Sequence, residues 1–206
     1  MVLIIFPICN HWAHGDVMNN KTIRLIDTFA LAGVCFSLIE AFYYQLIRGE
    51  LPCAFCNLIR VAFMLFGAGL LLNLRFGTNR WNYVLSAAGA LIGALISLLF
   101  MFAKAPPSTT PTGSAIFGLH MYTWSFIIFM GAIMYCVVLL ALFDNRGGEA
   151  KIYARMPRLA SLMAVLFVVL TGGNLLSAFL QNGFGTFRAG GQQHYEMLYN
   201  GDVMKP

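Results

Sequence analysis

The sequence predicts an all-α integral membrane protein, because it is rich in apolar residues, poor in charge and built from long apolar runs. Its 206 residues are 59% hydrophobic and 10% charged, with a mean hydropathy of +0.74. Soluble domains carry charge on about a quarter of their residues. The composition therefore excludes an ordinary soluble domain, a disordered chain, a nucleic-acid-binding domain and a cysteine-dense disulfide scaffold.

Five apolar runs are long enough to cross a hydrocarbon core about 30 Å thick, which takes roughly 20 helical residues. We place these spans at residues 25–47, 58–74, 83–103, 121–143 and 159–180. Three of the five contain no charged residue. The opening apolar stretch, residues 2–8, is too short to span and is interpreted as an interfacial segment.

The basic residues predict how these spans are oriented. With the N-terminus in the cytoplasm, eight of the 13 Lys and Arg residues fall on the inner side, in short loops where the positive-inside rule applies. We therefore expect loops 48–57 and 104–120 on the outer side. The predicted parts are an N-terminal cytoplasmic or interfacial segment 1–24, a four-helix membrane core 25–143, a basic cytoplasmic loop 144–158, a fifth transmembrane helix 159–180 and an outer tail 181–206.

The five cysteines lie in different surroundings. Cys35 and Cys136 fall within apolar spans, where a thiol behaves as a small inert hydrophobe, and Cys9 lies near the inner interface. Cys53 and Cys56 form a CxxC motif where a short outer loop enters the second span. This position predicts a CxxC at a helix N-terminus.

Three effects favour redox chemistry at this pair. Two intervening residues allow the sulfur atoms to meet and form a disulfide. The N-terminus of a helix stabilises a thiolate, which is the attacking form. Arg60 lies four residues after Cys56, on the same helical face, and its charge can stabilise a thiolate or a reduced acceptor. An arginine inside a span is costly and is therefore a functional candidate.

These residues also have other interpretations. A zinc site needs four ligands, and no second pair lies at a workable spacing on the same side. Haem attachment needs His directly after the second cysteine, where this chain has Asn57. A structural disulfide or two idle thiols, and a snorkelling role for Arg60, remain open alternatives.

These motifs resemble those of the bacterial disulfide bond formation protein B (DsbB) family, which are quinone-dependent inner-membrane oxidases. The resemblance is carried by Tyr44-Gln45 followed by the stretch PCAFCNLIR from Pro52 to Arg60, and more weakly by FGLHMYTW at 117–124. It extends over residues 25–143. It implies a DsbB-like four-helix bundle, to which this chain adds a fifth transmembrane helix.

The resemblance also implies an electron path. A periplasmic thioredoxin-like dithiol protein would pass electrons to the CxxC, which would pass them to ubiquinone or menaquinone from the membrane pool. In this chain Cys53 would exchange disulfides with the partner, Cys56 would contact the quinone, and Arg60 would polarise the quinone oxygen. The family's location implies a multi-pass protein of the bacterial inner membrane, with the CxxC on the periplasmic side.

Two departures from the family leave rival functions open. Loop 104–120 lacks the second cysteine pair that normally takes electrons from the soluble partner. The fifth span, with Gly172-Gly173-Asn174, and the outer tail offer surfaces for close helix contact or for a larger membrane complex. The alternatives are a non-catalytic accessory subunit on a DsbB-like scaffold, or the same exchange run in reverse.

Further polar residues in or near the spans have a functional and a structural interpretation. Glu40, within the first span, is either a proton route or a neutral carboxyl that packs against a helix. Asp27 is expected to be solvated near the inner edge. His120 is either a proton shuttle or structural. Tyr43, Tyr44, Tyr122 and Trp124 belong either to an interfacial aromatic belt or to a quinone pocket.

Overall fold

The computed structural model describes residues 20–106, 115–142, 156–183 and 195–199. The predictions for Cys9, for most of the segment 1–24 and the loop 144–158, and for most of the outer tail lie outside these residues. The elements are α1 (Asn20–Leu46), α2 (Ala54–Phe76), α3 (Arg80–Lys104), β1 (Ala115–Ile116), β2 (Leu119–His120), α4 (Met121–Leu142), α5 (Arg158–Asn182) and α6 (Glu196–Tyr199).

In the described ranges, α1 to α5 are long and apolar enough to cross a membrane. The predicted all-α membrane fold with a fifth long helix is therefore confirmed. The remaining regular structure in these ranges is the single-turn α6 and a hairpin of two-residue strands, in which Ala115 pairs with His120 and Ile116 with Leu119. The hairpin leads directly into α4.

α2 and α3 begin before the apolar runs that predict them, and a side chain caps each of them. α2 begins four residues before the predicted span of 58–74. Cys53 caps it, with extended backbone (φ −71°, ψ 170°) and a sulfur that accepts the N–H of Cys56 at 3.3 Å. The side chain of Asn79 caps α3 by accepting the N–H of Trp81 at 3.1 Å. The start at Ala54 places Cys56 within the first turn of α2.

The five long helices pack in the order α5, α1, α2, α3, α4. Small residues allow the closest contacts between neighbouring helices. A Cβ at Gly89 of α3 would lie 2.6 Å from the backbone nitrogen of Phe66 on α2, and one at Gly93 would overlap the ring of Phe129 on α4. α1 and α4 are not among the closely packed pairs of these helices, and a cavity lined by both lies between them.

α5 packs on α1 and α2, on the side away from α3 and α4. A Cβ at Gly67 of α2 would overlap the ring of Phe167, and one at Gly173 of α5 would lie 3.3 Å from the ring of Phe42 on α1. The small residues of the fifth span therefore serve close contact within this chain at Gly173. At Gly172 an added Cβ would meet no atom within 4 Å.

The expectation that Asp27 is solvated is wrong. Asp27 lies at the end of the bundle opposite the CxxC, is 0% exposed, and accepts the hydroxyl of Tyr83 at 2.9 Å on each carboxylate oxygen. The hydroxyl of Tyr135 also donates to it. These hydrogen bonds from α3 and α4 replace water around the carboxylate. They also join α1 to α4 at this end.

Candidate active site

The CxxC motif lies at the first turn of α2 as two free thiols. The sulfur atoms of Cys53 and Cys56 are 2.7 Å apart, and the sulfur of Cys53 also accepts the N–H of Cys56. An S–S bond is about 2.05 Å long, so the pair needs little movement to close. The predicted placement at a helix N-terminus is confirmed.

The geometry of the motif makes the Cys53 thiol more acidic than an ordinary cysteine. The hydrogen bond from the Cys56 thiol, with support from backbone N–H groups, lowers the pKa of Cys53 from 9.0 to about 7, although burial opposes this. Cys53 is 8% exposed. The lowered pKa favours the thiolate of Cys53, the form that attacks disulfides and electron-poor rings.

The guanidinium of Arg60 is held between α1 and α5. Its Nη1 donates to Oε1 of Gln45 at 2.5 Å and to Oδ1 of Asn174 at 3.3 Å, and its Nη2 donates to the carbonyl of Ala41 at 2.9 Å. Cζ lies 6.0 Å from the ring centroid of Phe42. Arg60 is thus fixed by contacts within the bundle and does not depend on snorkelling.

Gln45, the polar residue of the Tyr44-Gln45 pair, binds Arg60 and is itself held by two other side chains. Its Nε2 donates to Oγ of Ser177 and to the hydroxyl of Tyr195, each at 2.6 Å, while its Oε1 accepts from Arg60. Gln45 is 3% exposed. Because every polar atom of this buried amide has a partner, its orientation is determined.

A cavity of about 650 Å³ lies beside the CxxC pair in the gap between α1 and α4. The three predicted site residues, Cys53, Cys56 and Arg60, all line it. Much of the remaining wall is aromatic, with Phe36, Phe63, Phe100, Tyr44, Tyr122 and Trp124. Its volume and its mixture of apolar walls with a few polar groups are typical of small-molecule sites.

The structure shows which of the residues with two interpretations line the cavity and which do not. Glu40 is half-buried and lines the cavity. His120 is not part of the wall and stacks on Tyr122, with ring centroids 5.3 Å apart. Cys35 and Cys136 are buried and lie away from the wall, in agreement with their expected inert role. Tyr43 is 48% exposed and also lies outside the wall.

Sequence reasoning missed the contribution of α5 to this site. Asn174, Ser177 and Gln181 of α5 all make hydrogen bonds to residues of the site or next to it. Their spacing of three and then four residues places them on one helical face. A polar stripe within an otherwise apolar span was the signal that could have revealed them.

Residues 24–112 match the family model described as Disulfide bond formation protein DsbB. Over these residues the chain is similar to the DsbB family. The match covers a little under half of the chain, spans most of α1 and all of α2 and α3, and includes the motif from Tyr44 to Arg60. The predicted resemblance to DsbB is thus confirmed, whereas α4 and α5 lie beyond the matched residues. No curated protein and no solved structure matches the chain significantly.

The matched family is named for disulfide-bond formation, and the five long apolar helices fit a multi-pass membrane protein. The CxxC motif is the part of the DsbB segment that can carry this chemistry, because a closed pair is an oxidant of dithiols and an open pair is a reductant.

Proposed function

We propose that this protein is a quinone-linked membrane thiol:disulfide oxidoreductase. It takes electrons from a periplasmic thioredoxin-like dithiol protein through Cys53 and Cys56 and delivers them to ubiquinone or menaquinone in the membrane. One observation carries the proposal: both thiols and the charged Arg60 line a single apolar cavity of about 650 Å³.

The residues of the cavity fit a quinone. A quinone presents a flat apolar ring, which suits aromatic walls, and carbonyl oxygens, which need a donor. The described hydrogen bonds use three of the five N–H groups of Arg60, which leaves two for a ligand carbonyl. The gap between α1 and α4 suits an attached isoprenoid chain, because both helices expose apolar side chains to their surroundings.

The electron balance needs no further reactant. Closing the Cys53–Cys56 disulfide releases two electrons and two protons, and a bound quinone supplies the acceptor chemistry for both. The dithiol partner then reopens the pair by attacking the sulfur of Cys53, which displaces Cys56 as a thiolate. The second thiol of the partner then attacks the mixed disulfide, and the pair returns to its dithiol form. The partner leaves oxidised.

Glu40 is proposed to carry protons between the thiols and their acceptor. It is a half-buried carboxyl on the cavity wall, next in sequence to Ala41, whose carbonyl binds Arg60. Each turnover moves two protons through a largely apolar cavity, where an ionisable side chain is costly unless it has such a role. This favours the proton route over the packing alternative.

The partner is proposed to react with Cys53 directly, because loop 104–120 contains no cysteine to act as an intermediate. Cys53 is 8% exposed, so this exchange requires its sulfur to become accessible, and the segment that leads into it is residues 49–52. That segment begins at Gly49, whose φ of +69° is a conformation that glycine adopts without strain.

The location and arrangement are part of the proposal. The distribution of Lys and Arg supports an N-terminus in the cytoplasm of a bacterium and a CxxC on the periplasmic side of the inner membrane. The four-helix core 25–143 supplies the CxxC motif and Arg60. The loop 144–158 then faces the cytoplasm, and the tail 181–206 faces the periplasm. An additional role of α5 in a larger complex stays a prediction.

Turnover in a reconstituted membrane tests the proposal. Protein in lipid nanodiscs would be given a reduced thioredoxin-like dithiol protein and a soluble ubiquinone or menaquinone analogue, with quinone reduction followed by absorbance. We expect turnover in the wild type, loss of it in Cys56→Ser and near wild-type rates in Cys35→Ala and Cys136→Ala.

Two results would contradict the proposal. No turnover in folded wild-type protein with either quinone would favour a non-catalytic subunit. Loss of turnover in Cys35→Ala or Cys136→Ala alone would show that Cys53 and Cys56 are the wrong pair. Net reduction of a protein disulfide by added quinol would instead assign the reverse direction.

A further inference from the structure

A single side chain of α5 bridges both ends of the CxxC motif. Nε2 of Gln181 donates to the carbonyl of Pro52 at 2.7 Å, and Oε1 accepts from Nδ2 of Asn57 at 3.4 Å. Pro52 directly precedes Cys53, and Asn57 directly follows Cys56. The amide of Gln181 therefore ties the residue before the motif to the residue after it.

Two further residues of α5 reach the arginine of the same site. Oδ1 of Asn174 accepts from Arg60, while its Nδ2 donates to the carbonyl of Leu170 in its own helix, which fixes the amide. Oγ of Ser177 accepts from Gln45, the other partner of Arg60. With Gln181, these residues form the polar stripe of α5, defined as Asn174, Ser177 and Gln181.

The polar stripe is buried against the site. Gln181 is 1% exposed, Asn174 is 4% exposed, and Asn57, the partner of Gln181, is 8% exposed. A buried amide without partners costs free energy, and so does the backbone carbonyl that it would leave unpaired. An apolar residue would suit the packing of a membrane helix at these positions, so the stripe is explained by what it binds.

We propose that α5 is a part of the redox site, in which Gln181 is a positioning residue that holds the CxxC turn in its reactive geometry and Asn174 is a positioning residue for Arg60. This inference rests on the proposed function in taking the CxxC as the reactive group. It assigns a role to a helix that begins 46 residues beyond the end of the DsbB match at residue 112.

The two hydrogen bonds of Gln181 to Pro52 and Asn57, called the clamp, affect the thiols. Cys53 caps α2 with its sulfur, and this requires the peptide between Pro52 and Cys53 to keep its orientation. When Gln181 is lost, the Pro52 carbonyl turns toward another donor and the hydrogen bonds from Cys56 to the Cys53 sulfur lengthen. The Cys53 thiolate is then less stabilised, and the disulfide is harder to reduce.

The test is the pH dependence of Cys53 alkylation in the full-length reduced protein in nanodiscs, with the modified peptide quantified by mass spectrometry. Gln181→Met keeps length and bulk but loses both hydrogen bonds. We expect its midpoint to rise by about one pH unit, which slows alkylation about tenfold at a pH well below the midpoint, because the thiolate fraction there falls about tenfold for each unit of pKa. Asn57→Ala loses one of the two bonds and is expected to shift the midpoint less.

Asn182→Ala is the matched control. Asn182 is the next residue of α5, is 7% exposed, and donates to the carbonyl of Ala178 in its own helix at 3.3 Å. The midpoint of Cys53 alkylation in Asn182→Ala should equal that of the wild type. The double variant Gln181→Met/Asn57→Ala should shift no further than Gln181→Met, because both changes break the same bridge.

An unchanged midpoint in both Gln181→Met and Asn57→Ala would overturn the inference, as would an equal shift in Asn182→Ala. The readout needs no quinone and no partner, so it separates two failures. If the wild type shows no quinone turnover but the variants still shift the Cys53 midpoint, the proposed electron acceptor is rejected and the positioning role of Gln181 stands. If quinone turnover is normal but the variants leave the Cys53 midpoint unchanged, only the positioning role of Gln181 is rejected.

Discussion

Arg60 and Asn174 meet across the contact between α2 and α5, with Nη1 of the guanidinium 3.3 Å from Oδ1 of the amide. Arg60 lies within the DsbB match, whereas Asn174 lies 62 residues beyond its end. The arginine that the motif predicts is thus oriented partly by a helix outside the matched segment. The properties of Arg60 and of the CxxC pair give the following predictions.

Cys53 is expected to be alkylated with a midpoint near pH 7, because the Cys56 thiol lowers its pKa from 9.0 to about 7. A lowered pKa means that the thiolate is present above the midpoint and is lost as the pH falls through it. Cys56→Ala removes the main cause, so its midpoint should move up toward 9.0. Alkylation rates measured from pH 5 to pH 10 check this. Equal midpoints in the two proteins would contradict it.

Arg60→Lys should weaken the apparent affinity for quinone more than it lowers the maximal rate. Lysine keeps the charge but loses the planar fork that reaches Gln45, Asn174 and Ala41 together, and we expect KM for quinone to rise about tenfold. Steady-state rates over a range of quinone concentrations measure this. Arg75→Lys, at the other end of α2, is the control. Equal kinetics in the wild type and Arg60→Lys would count against a contact between Arg60 and the acceptor.

Glu40→Gln tests the proton route. Glutamine keeps the size of the side chain on the cavity wall but cannot exchange a proton, so kcat should fall about tenfold while KM for quinone stays within about twofold. Steady-state quinone reduction over a range of quinone concentrations separates the two parameters. A kcat identical to that of the wild type would assign Glu40 to packing.

Asp27→Ala should destabilise the bundle without altering the thiols. The change leaves the buried hydroxyls of Tyr83 and Tyr135 without their acceptor, which costs about 3 kcal/mol of unfolding free energy. Denaturation in detergent measures the loss, with the alkylation midpoint of Cys53 as the second readout. A large shift of that midpoint would show that the two ends of the bundle are coupled.

The sequence alone was sufficient where the signal is local. Apolar runs gave the five membrane helices, because spanning a bilayer requires about 20 consecutive apolar residues. The CxxC and Arg60 lie within eight residues of one another, so helical spacing places them on one face. The start of α2 was predicted too late because its cap is Cys53, a residue outside the apolar run.

The missed features depend on residues that are distant in sequence. Asp27 is buried by tyrosines that lie 56 and 108 residues away, and no local pattern indicates such partners. Gln181 contacts Pro52 across 129 residues. The polar stripe of α5 is visible in the sequence, but what it binds is known only after α5 has been placed against α1 and α2.

The most direct test of the central claim follows the redox state of Cys53 and Cys56 themselves. Native membranes would be mildly reduced, supplied with quinone, and sampled over time with a mass-tagged alkylator that counts free thiols. We expect the pair to reoxidise only when quinone is present, and Arg60→Ala to reoxidise more slowly than the wild type. A pair that stays reduced with quinone, or that resists reduction altogether, would contradict it and would favour a structural role for the motif.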